Sequence, residues 1–99
     1  MACERLKAEL KQNGLQFEEE YHDNSWNRLF SLDIAFVQIK LDIEVNGTMH
    51  YNPDGTLKDY YKERHDYLEA LGWKVIEFEH YKCFDEKEIE SLVELIRSV

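Results

Sequence analysis

Two adjacent segments of the chain, residues 32–36 and 41–46, alternate between apolar and polar side chains. This period of two is typical of β-strands, in which successive side chains point to opposite faces. The second segment therefore carries an apolar row on one face and a polar row on the other. The apolar row is Leu41, Ile43 and Val45, and the polar row is Asp42, Glu44 and Asn46. The first segment places Asp33 on its own polar face, so each of the two strands carries a carboxylate.

The rest of the chain shows helical periods and strand alternation separated by turn residues. We expect a first helix over residues 2–13 that ends at Gly14, followed by a short, charged edge strand over 15–21. The two central strands are predicted over 29–36 and 39–45 and are joined as a hairpin. A helix over 57–71 capped by Thr56, a strand over 74–79 and a final helix capped by Asp85 follow.

The order α-β-β-β-α-β-α predicts an α/β (α+β) fold in which a central mixed sheet of about four strands is flanked by helices. The 99 residues suffice for one domain, and 43% hydrophobic residues suffice for a compact core. No apolar run approaches the ~18 residues of a membrane helix, so we expect no membrane partner. The N-terminus is charged rather than signal-like, and the two cysteines lie far apart, which predicts a cytoplasmic protein with free thiols.

The pairing of the central strands also predicts a chemistry. In a hairpin, Asp33 and Glu44 share one face near the same end. Two carboxylates at such a short distance repel each other unless a cation or a proton lies between them. Carboxylate oxygens suit a hard divalent cation, Mg²⁺ or Mn²⁺, which predicts a metal site of the kind that hydrolyses phosphodiesters. The alternative is a solvated sheet face, on which antiparallel strands routinely alternate apolar and acidic residues.

The charge pattern bears on how such a domain would hold DNA. A net charge of −9 weighs against strong binding of nucleic acid by the domain alone, because phosphate neutralisation by Lys and Arg dominates such affinity. The predicted long helix supplies candidate phosphate contacts, and the first loop adds two more. These DNA-binding candidates are Lys58, Lys62 and Arg64 on the helix, and Trp26 and Arg28 in the loop. We therefore expect a catalytic module steered by an appended DNA-binding region or by a homodimer.

Four segments spread over nearly the whole chain carry a resemblance to a known family. They are residues 13–17 (Asn-Gly-Leu-Gln-Phe), 32–36 (Leu-Asp-Ile-Ala-Phe), 43–47 (Ile-Glu-Val-Asn-Gly) with His50 after it, and 71–75 (Leu-Gly-Trp-Lys-Val). In these segments the chain resembles the restriction-endonuclease-like superfamily, PD-(D/E)xK, and within it the very-short-patch repair (Vsr-like) and phage homing endonucleases. The resemblance implies a Mg²⁺-dependent endonuclease domain that acts on double-stranded DNA in a bacterial or phage-type intracellular setting.

The resemblance also implies roles for individual strand residues. It makes Asp33 the central metal ligand and places Glu44 at the second acidic position. The carbonyl of Val45 completes the inner shell. His50 is similar to the strand-end histidine that acts near the attacking water or the leaving group.

Two further sets of residues follow from the resemblance. Glu4 on the first helix, with Glu9 as its alternative, and Asp59 at the start of the long helix match acidic positions of the repair branch. The third signature residue, usually Lys, falls on Asn46, which can bind a metal-bound water but cannot deprotonate one. Asn46 is either native, with His50 supplying the proton chemistry, or an inactivating change. The alternative function is therefore a non-catalytic interaction or structural domain of the same fold.

Overall fold

Four strands form one mixed sheet in the computed structural model, which describes residues 3–99. The strands are β1 (Glu18–Tyr21), β2 (Leu32–Phe36), β3 (Leu41–Asn46) and β4 (Lys74–Glu79), and they lie in the order β1-β2-β3-β4. The first three strands pair antiparallel, and β4 pairs parallel to β3. The predicted four-stranded mixed sheet is therefore confirmed.

Three helices flank the sheet in the predicted order. They are α1 (Glu4–Gln12), α2 (Asp59–Ala70) and α3 (Glu86–Ser98). The first helix was predicted to start at Ala2, which lies outside the described residues. Gly14 follows α1 with a φ of +77°, the left-handed conformation that a glycine adopts without steric cost. None of the helices in the described part of the chain is long and apolar enough to cross a membrane.

The helices cover both faces of the sheet. One face packs against α1 and α3, whose buried residues include Leu6, Leu10 and Leu92. The other face packs against α2 through Leu68, with Trp73 beside it. All six residues of β3 are buried as a result. The alternative of a solvated polar face is therefore wrong for β3, because α2 covers the face that carries its acidic residues.

Several predicted boundaries differ from the structure. The first strand begins at Glu18 rather than at residue 15, and β3 spans Leu41–Asn46 rather than 39–45. The second strand begins at Leu32 rather than at residue 29, and Leu29 is 93% exposed. The long helix begins at Asp59, and its N-cap is Lys58 rather than Thr56. The Thr56 hydroxyl donates a hydrogen bond to Asp54 instead, at 2.6 Å, so it closes the preceding turn. The predicted cap of α3 is confirmed, because the Asp85 carboxylate accepts from the backbone N–H of Lys87.

Candidate active site

The hydrogen bonding between β2 and β3 changes beyond the pair Ile34 and Ile43. Up to that point the strands pair in regular antiparallel register. Beyond it, the backbone N–H of Val45 donates to Asp33 Oδ2 at 2.9 Å, and the backbone N–H of Asp33 donates to Glu44 Oε2 at 3.1 Å. Each carboxylate thus takes a backbone donor from the opposite strand. The structure therefore brings Asp33 and Glu44 together at one end of the strand pair.

Glu44 is neutralised by a residue of α2. Its carboxylate accepts a hydrogen bond from the Arg64 guanidinium and forms a salt bridge with it. The side chain of Glu44 is 1% exposed and that of Arg64 is 12% exposed, so the pair is largely removed from water. Burial raises the pKa of Glu44, and the positive charge of Arg64 opposes that rise. The guanidinium is the cation that compensates this carboxylate.

Asp42 lies on the same face of β3, two residues before Glu44, and is completely buried. Neither carboxyl oxygen has a hydrogen-bond partner among the described residues. Burial, followed by the proximity of Glu44, raises the pKa of Asp42 far above its ordinary value. We conclude that Asp42 is a neutral carboxylic acid in the folded protein at neutral pH. The polar row of β3 therefore holds a protonated acid beside a paired carboxylate.

Asn46 is the centre of a hydrogen-bond network at the end of β3. Its side-chain amide donates to Glu77 Oε1 at 2.5 Å, and its amide oxygen lies 2.9 Å from Nδ1 of His50. The second oxygen of Glu77 lies 2.6 Å from Nδ1 of His65. The amide of Asn46 also lies within 3.2 Å of the Tyr51 hydroxyl. The network links β3, β4, α2 and the turn that carries His50.

His50 stands in a turn of 3-10 helix that follows β3 and is partly buried. Its ring stacks on that of Tyr61, with centroids 3.9 Å apart and planes 8° from parallel. Burial lowers the pKa of His50, and the nearby charge of Arg64 lowers it further. The imidazole is therefore neutral near pH 7 and able to accept a proton.

One face of α2 supplies the contacts to this site. Tyr61, Arg64 and His65 are spaced three and four residues apart, which places them on neighbouring positions of the helix surface. They contact His50, Glu44 and Glu77 respectively. Arg64 was predicted to contact phosphates, and the structure gives its guanidinium a buried carboxylate as a partner instead.

The remaining residues predicted to hold DNA lie elsewhere or are already paired. Lys62 pairs with Asp66, and Arg28 pairs with Glu63. Trp26 packs edge-on against Trp73, with ring centroids 6.3 Å apart. Helix α2 is not basic overall, since its four carboxylates outnumber its two cations. The carboxylates are Asp59, Glu63, Asp66 and Glu69, and the cations are Lys62 and Arg64.

The helical acidic residues take different positions. Glu4 is exposed at the start of α1, and its carboxylate pairs with Lys7 at 3.3 Å. Its predicted alternative, Glu9, is partly buried on the same helix. Asp59 opens α2 and is exposed, as is the neighbouring Lys58. The side-chain hydrogen bonds at Asp33 within the described residues go to Glu44 and Val45, and none of them joins it to these side chains.

Several residues of the site were missed at the sequence level. Asp42 was assigned only to a polar strand face, while Glu77 and His65 were not placed in the site. The contact between Asn46 and Glu77 spans 31 residues of sequence, so no local spacing reveals it. The three-and-four spacing of Tyr61, Arg64 and His65, followed by the buried Leu68, is the signal that indicates their shared helix face.

Comparison with solved structures identifies the class of fold. The structure is similar to the catalytic domain of the homing endonuclease I-Bth0305I, with a TM-score of 0.65 and 19% sequence identity. The similarity covers 94% of this chain and 86% of that one. At this identity it shows the fold. The fold of this chain is therefore similar to that of the homing endonuclease's catalytic domain.

The family follows from the sequence. The model of the RAP domain matches residues 43–99, which is more than half of the chain. The chain belongs to the RAP domain family. The matched region contains Glu44, Asn46, His50 and Glu77, whereas Asp33 lies before it. The comparison with curated proteins found no match.

Proposed function

We propose that this protein is the catalytic domain of a metal-dependent nuclease that hydrolyses phosphodiester bonds in double-stranded DNA. The observation that carries the proposal is the convergence of Asp33 and Glu44, each held by a backbone N–H of the opposite strand. His50 lies beyond the same end of β3 with a lowered pKa, so the site combines carboxylate oxygens with a neutral proton acceptor. The fold shared with a homing endonuclease catalytic domain supports this class of reaction.

The chain's own residues supply two parts of such a reaction. His50 accepts a proton from the attacking water, or returns one to the leaving oxygen, as a general acid–base group. Arg64 places a fixed positive charge beside the carboxylates, where negative charge on a phosphate would otherwise be repelled. Asn46 holds His50 in place by a hydrogen bond.

The residues fit a divalent cation in part. Asp33 is partly exposed and offers a hard oxygen, and the carbonyl of Val45 is the proposed second ligand. Glu44 joins them only if the cation replaces Arg64, since both of its oxygens already have partners. The described residues contain no preformed group of three metal-ligating acidic, histidine or cysteine side chains. A cation bound at Asp33 would supply a Lewis acid for the scissile phosphate.

The test is a cleavage assay on supercoiled plasmid with Mg²⁺, with Mn²⁺ and with chelator alone. We expect the protein to nick or cut only with a divalent cation. Asp33→Asn abolishes cleavage, whereas Asp66→Asn, which changes an exposed carboxylate on α2, retains it. The proposal fails if the folded protein cuts no nucleic acid under any of these conditions, or if Asp33→Asn cuts as well as the wild type.

A second candidate function is nucleic-acid binding without catalysis, and RNA is its first ligand to test because the chain belongs to the RAP family. The buried ion pair between Glu44 and Arg64 favours this candidate, since it already satisfies the carboxylate that a metal would need. End-labelled single-stranded and duplex RNA therefore accompany the plasmid in the same assay. Binding of RNA with no cleavage of either substrate supports the second candidate.

A further inference from the structure

The chemistry of Glu77 fixes the orientation of the Asn46 side chain. An ionised carboxylate only accepts hydrogen bonds, whereas a side-chain amide has a donating end and an accepting end. Asn46 lies 2.5 Å from Glu77 Oε1, so its NH₂ group must face the carboxylate. The Tyr51 hydroxyl, which also lies near this amide, both donates and accepts and therefore favours neither orientation.

The orientation of Asn46 in turn determines which nitrogen of His50 carries the proton. With its NH₂ group facing Glu77, Asn46 presents its oxygen to His50, 2.9 Å from Nδ1. An amide oxygen only accepts, so Nδ1 must be protonated to form this hydrogen bond. A neutral imidazole has one proton, which leaves Nε2 with its lone pair free. An unconstrained histidine prefers the opposite tautomer, with the proton on Nε2.

We propose that Glu77 is a positioning residue: through Asn46 it holds His50 in the tautomer that is protonated on Nδ1 and makes Nε2 the proton-accepting nitrogen. This inference rests on the proposed function, in which His50 accepts a proton. Glu77 itself is steadied from α2, because His65 donates from Nδ1 to its second oxygen at 2.6 Å. Glu77 is partly buried on β4, and its side-chain hydrogen bonds within the described residues go to Asn46 and His65 rather than to Asp33.

The test measures the tautomer directly. Long-range proton–nitrogen NMR on ¹⁵N-labelled protein distinguishes the protonated ring nitrogen of a histidine from the unprotonated one. At about pH 8, above the ordinary imidazole pKa, we expect the wild-type His50 to be protonated mainly on Nδ1. Glu77→Gln is nearly isosteric but adds a donor, so both amide orientations become possible and the two tautomers mix. Glu77→Ala removes the acceptor and shifts His50 towards protonation on Nε2.

The matched control is Glu79→Gln, two residues further along the same strand, where the carboxylate pairs with Lys82 and not with Asn46. It leaves the His50 tautomer unchanged. If Glu77→Ala does not fold, the isosteric Glu77→Gln carries the test alone. The inference is overturned if wild-type His50 is protonated on Nε2, or if the Glu77 variants that fold keep the wild-type tautomer.

The outcome separates this inference from the proposed function. If the tautomer shifts as expected but no nucleic acid is cut, the relay exists and the nuclease proposal fails. If the protein cuts DNA and the tautomer ignores Glu77, the nuclease proposal stands and the relay fails. If both hold, Glu77→Gln and Glu77→Ala lower kcat with little change in KM. The loss is bounded by the ~10²–10⁴-fold contribution of a general base.

Discussion

At the residue scale, the site balances three carboxyl groups against one guanidinium. Burial and the nearby charge of Asp33 raise the pKa values of Asp42 and Glu44, and Arg64 is the cation that opposes both rises. Three ionised carboxylates in a buried site would leave unpaired negative charge, which is costly in a low-dielectric interior. The burial of Asp42 without a hydrogen-bond partner resolves this, because the neutral acid adds no charge.

Asp42→Asn is expected to stabilise the protein at neutral pH. Unfolding releases a proton from Asp42, whose pKa is raised in the folded state and ordinary, near 3.8, in the unfolded chain. Wild-type stability therefore falls as the pH rises above that ordinary value. The fall is about 1.4 kcal/mol per pH unit over the pH range in which Asp42 is protonated in the folded state and ionised in the unfolded state. The asparagine variant lacks this dependence. In urea unfolding from about pH 4 to pH 8, the difference in stability between Asp42→Asn and the wild type should grow with pH.

Asp66→Asn is the control for that series, since Asp66 is an exposed carboxylate on α2. It should not reproduce the pH-dependent gain. The opposite result would be an Asp42→Asn variant that is less stable than the wild type, with a larger loss of stability at pH 7 than at pH 4. That result would show that Asp42 is ionised in the folded protein.

Asn46 is complementary to Glu77, which bears on whether an aspartate could replace it. Asn46→Asp would set two carboxylates at a contact of 2.5 Å in a place where Asn46 is 2% exposed. We expect a loss of about 1–3 kcal/mol at neutral pH, the range for a buried polar group left without its partner. The double variant Asn46→Asp/Glu77→Gln restores a donor opposite the new carboxylate and should recover most of the stability.

Chemical denaturation of the two single variants and the double variant measures this coupling as a double-mutant cycle. Equal stability of Asn46→Asp and wild type would contradict the contact. The same proteins answer a question that the sequence left open. If Asn46 were an inactivating change, Asn46→Asp would raise metal-dependent cleavage strongly. If Asn46 is native to a working site, the change should do little or lower the activity.

At the element scale, the regular patterns were predictable and the long-range contacts were not. The alternation of residues 74–79 gave the bounds of β4, and Asp85 marked the start of α3. The start of α2 was missed because Thr56 bonds within its own turn. The polar row of β3 was recognised, but its burial depends on α2, which follows later in the chain and covers that face. Periodicity within one strand carries no information about whether a helix packs on its polar face.

The ion pair between Arg64 and Glu44 is one of the contacts that attach helix α2 to the sheet, beside the packing of Leu68. Arg64→Met leaves the buried carboxylate without its cation, and we expect it to cost about 3–5 kcal/mol, as for other buried pairs that lose one partner. The double variant Arg64→Met/Glu44→Gln removes both charges and should recover most of the loss. Thermal and urea unfolding of these variants checks the prediction.

Lys62→Met is the matched control for that experiment. Lys62 lies on the same helix and pairs with Asp66 on the surface, where screening by water leaves little net stabilisation. We expect its stability to stay near that of the wild type. A loss for Arg64→Met no larger than the loss for Lys62→Met would show that the guanidinium does not hold α2 to the sheet.

At the scale of the whole molecule, the net charge of −9 determines the electrostatic interaction of the protein with a nucleic acid. Helix α2 carries more carboxylates than cations, and both of its cations form salt bridges within the protein. A phosphate backbone that approaches this face therefore meets few free positive charges, and long-range repulsion opposes its approach. For a domain that acts on DNA, affinity and target choice would then need a second source, such as the expected appended DNA-binding region or a homodimer.

We expect the domain alone to bind duplex DNA weakly, without preference between two unrelated sequences, and with strong dependence on salt. Lys58 and Lys62 are the exposed cations nearest the start of α2, so Lys58→Ala/Lys62→Ala should lower the log–log salt slope by up to about 1.8, at ~0.9 for each lost phosphate contact. Lys87→Ala, an exposed cation of α3 on the opposite side of the sheet, should leave the slope unchanged. Fluorescence anisotropy across a salt series measures all three proteins. Tight binding that separates the two duplexes and barely responds to salt would show that the domain reads bases itself.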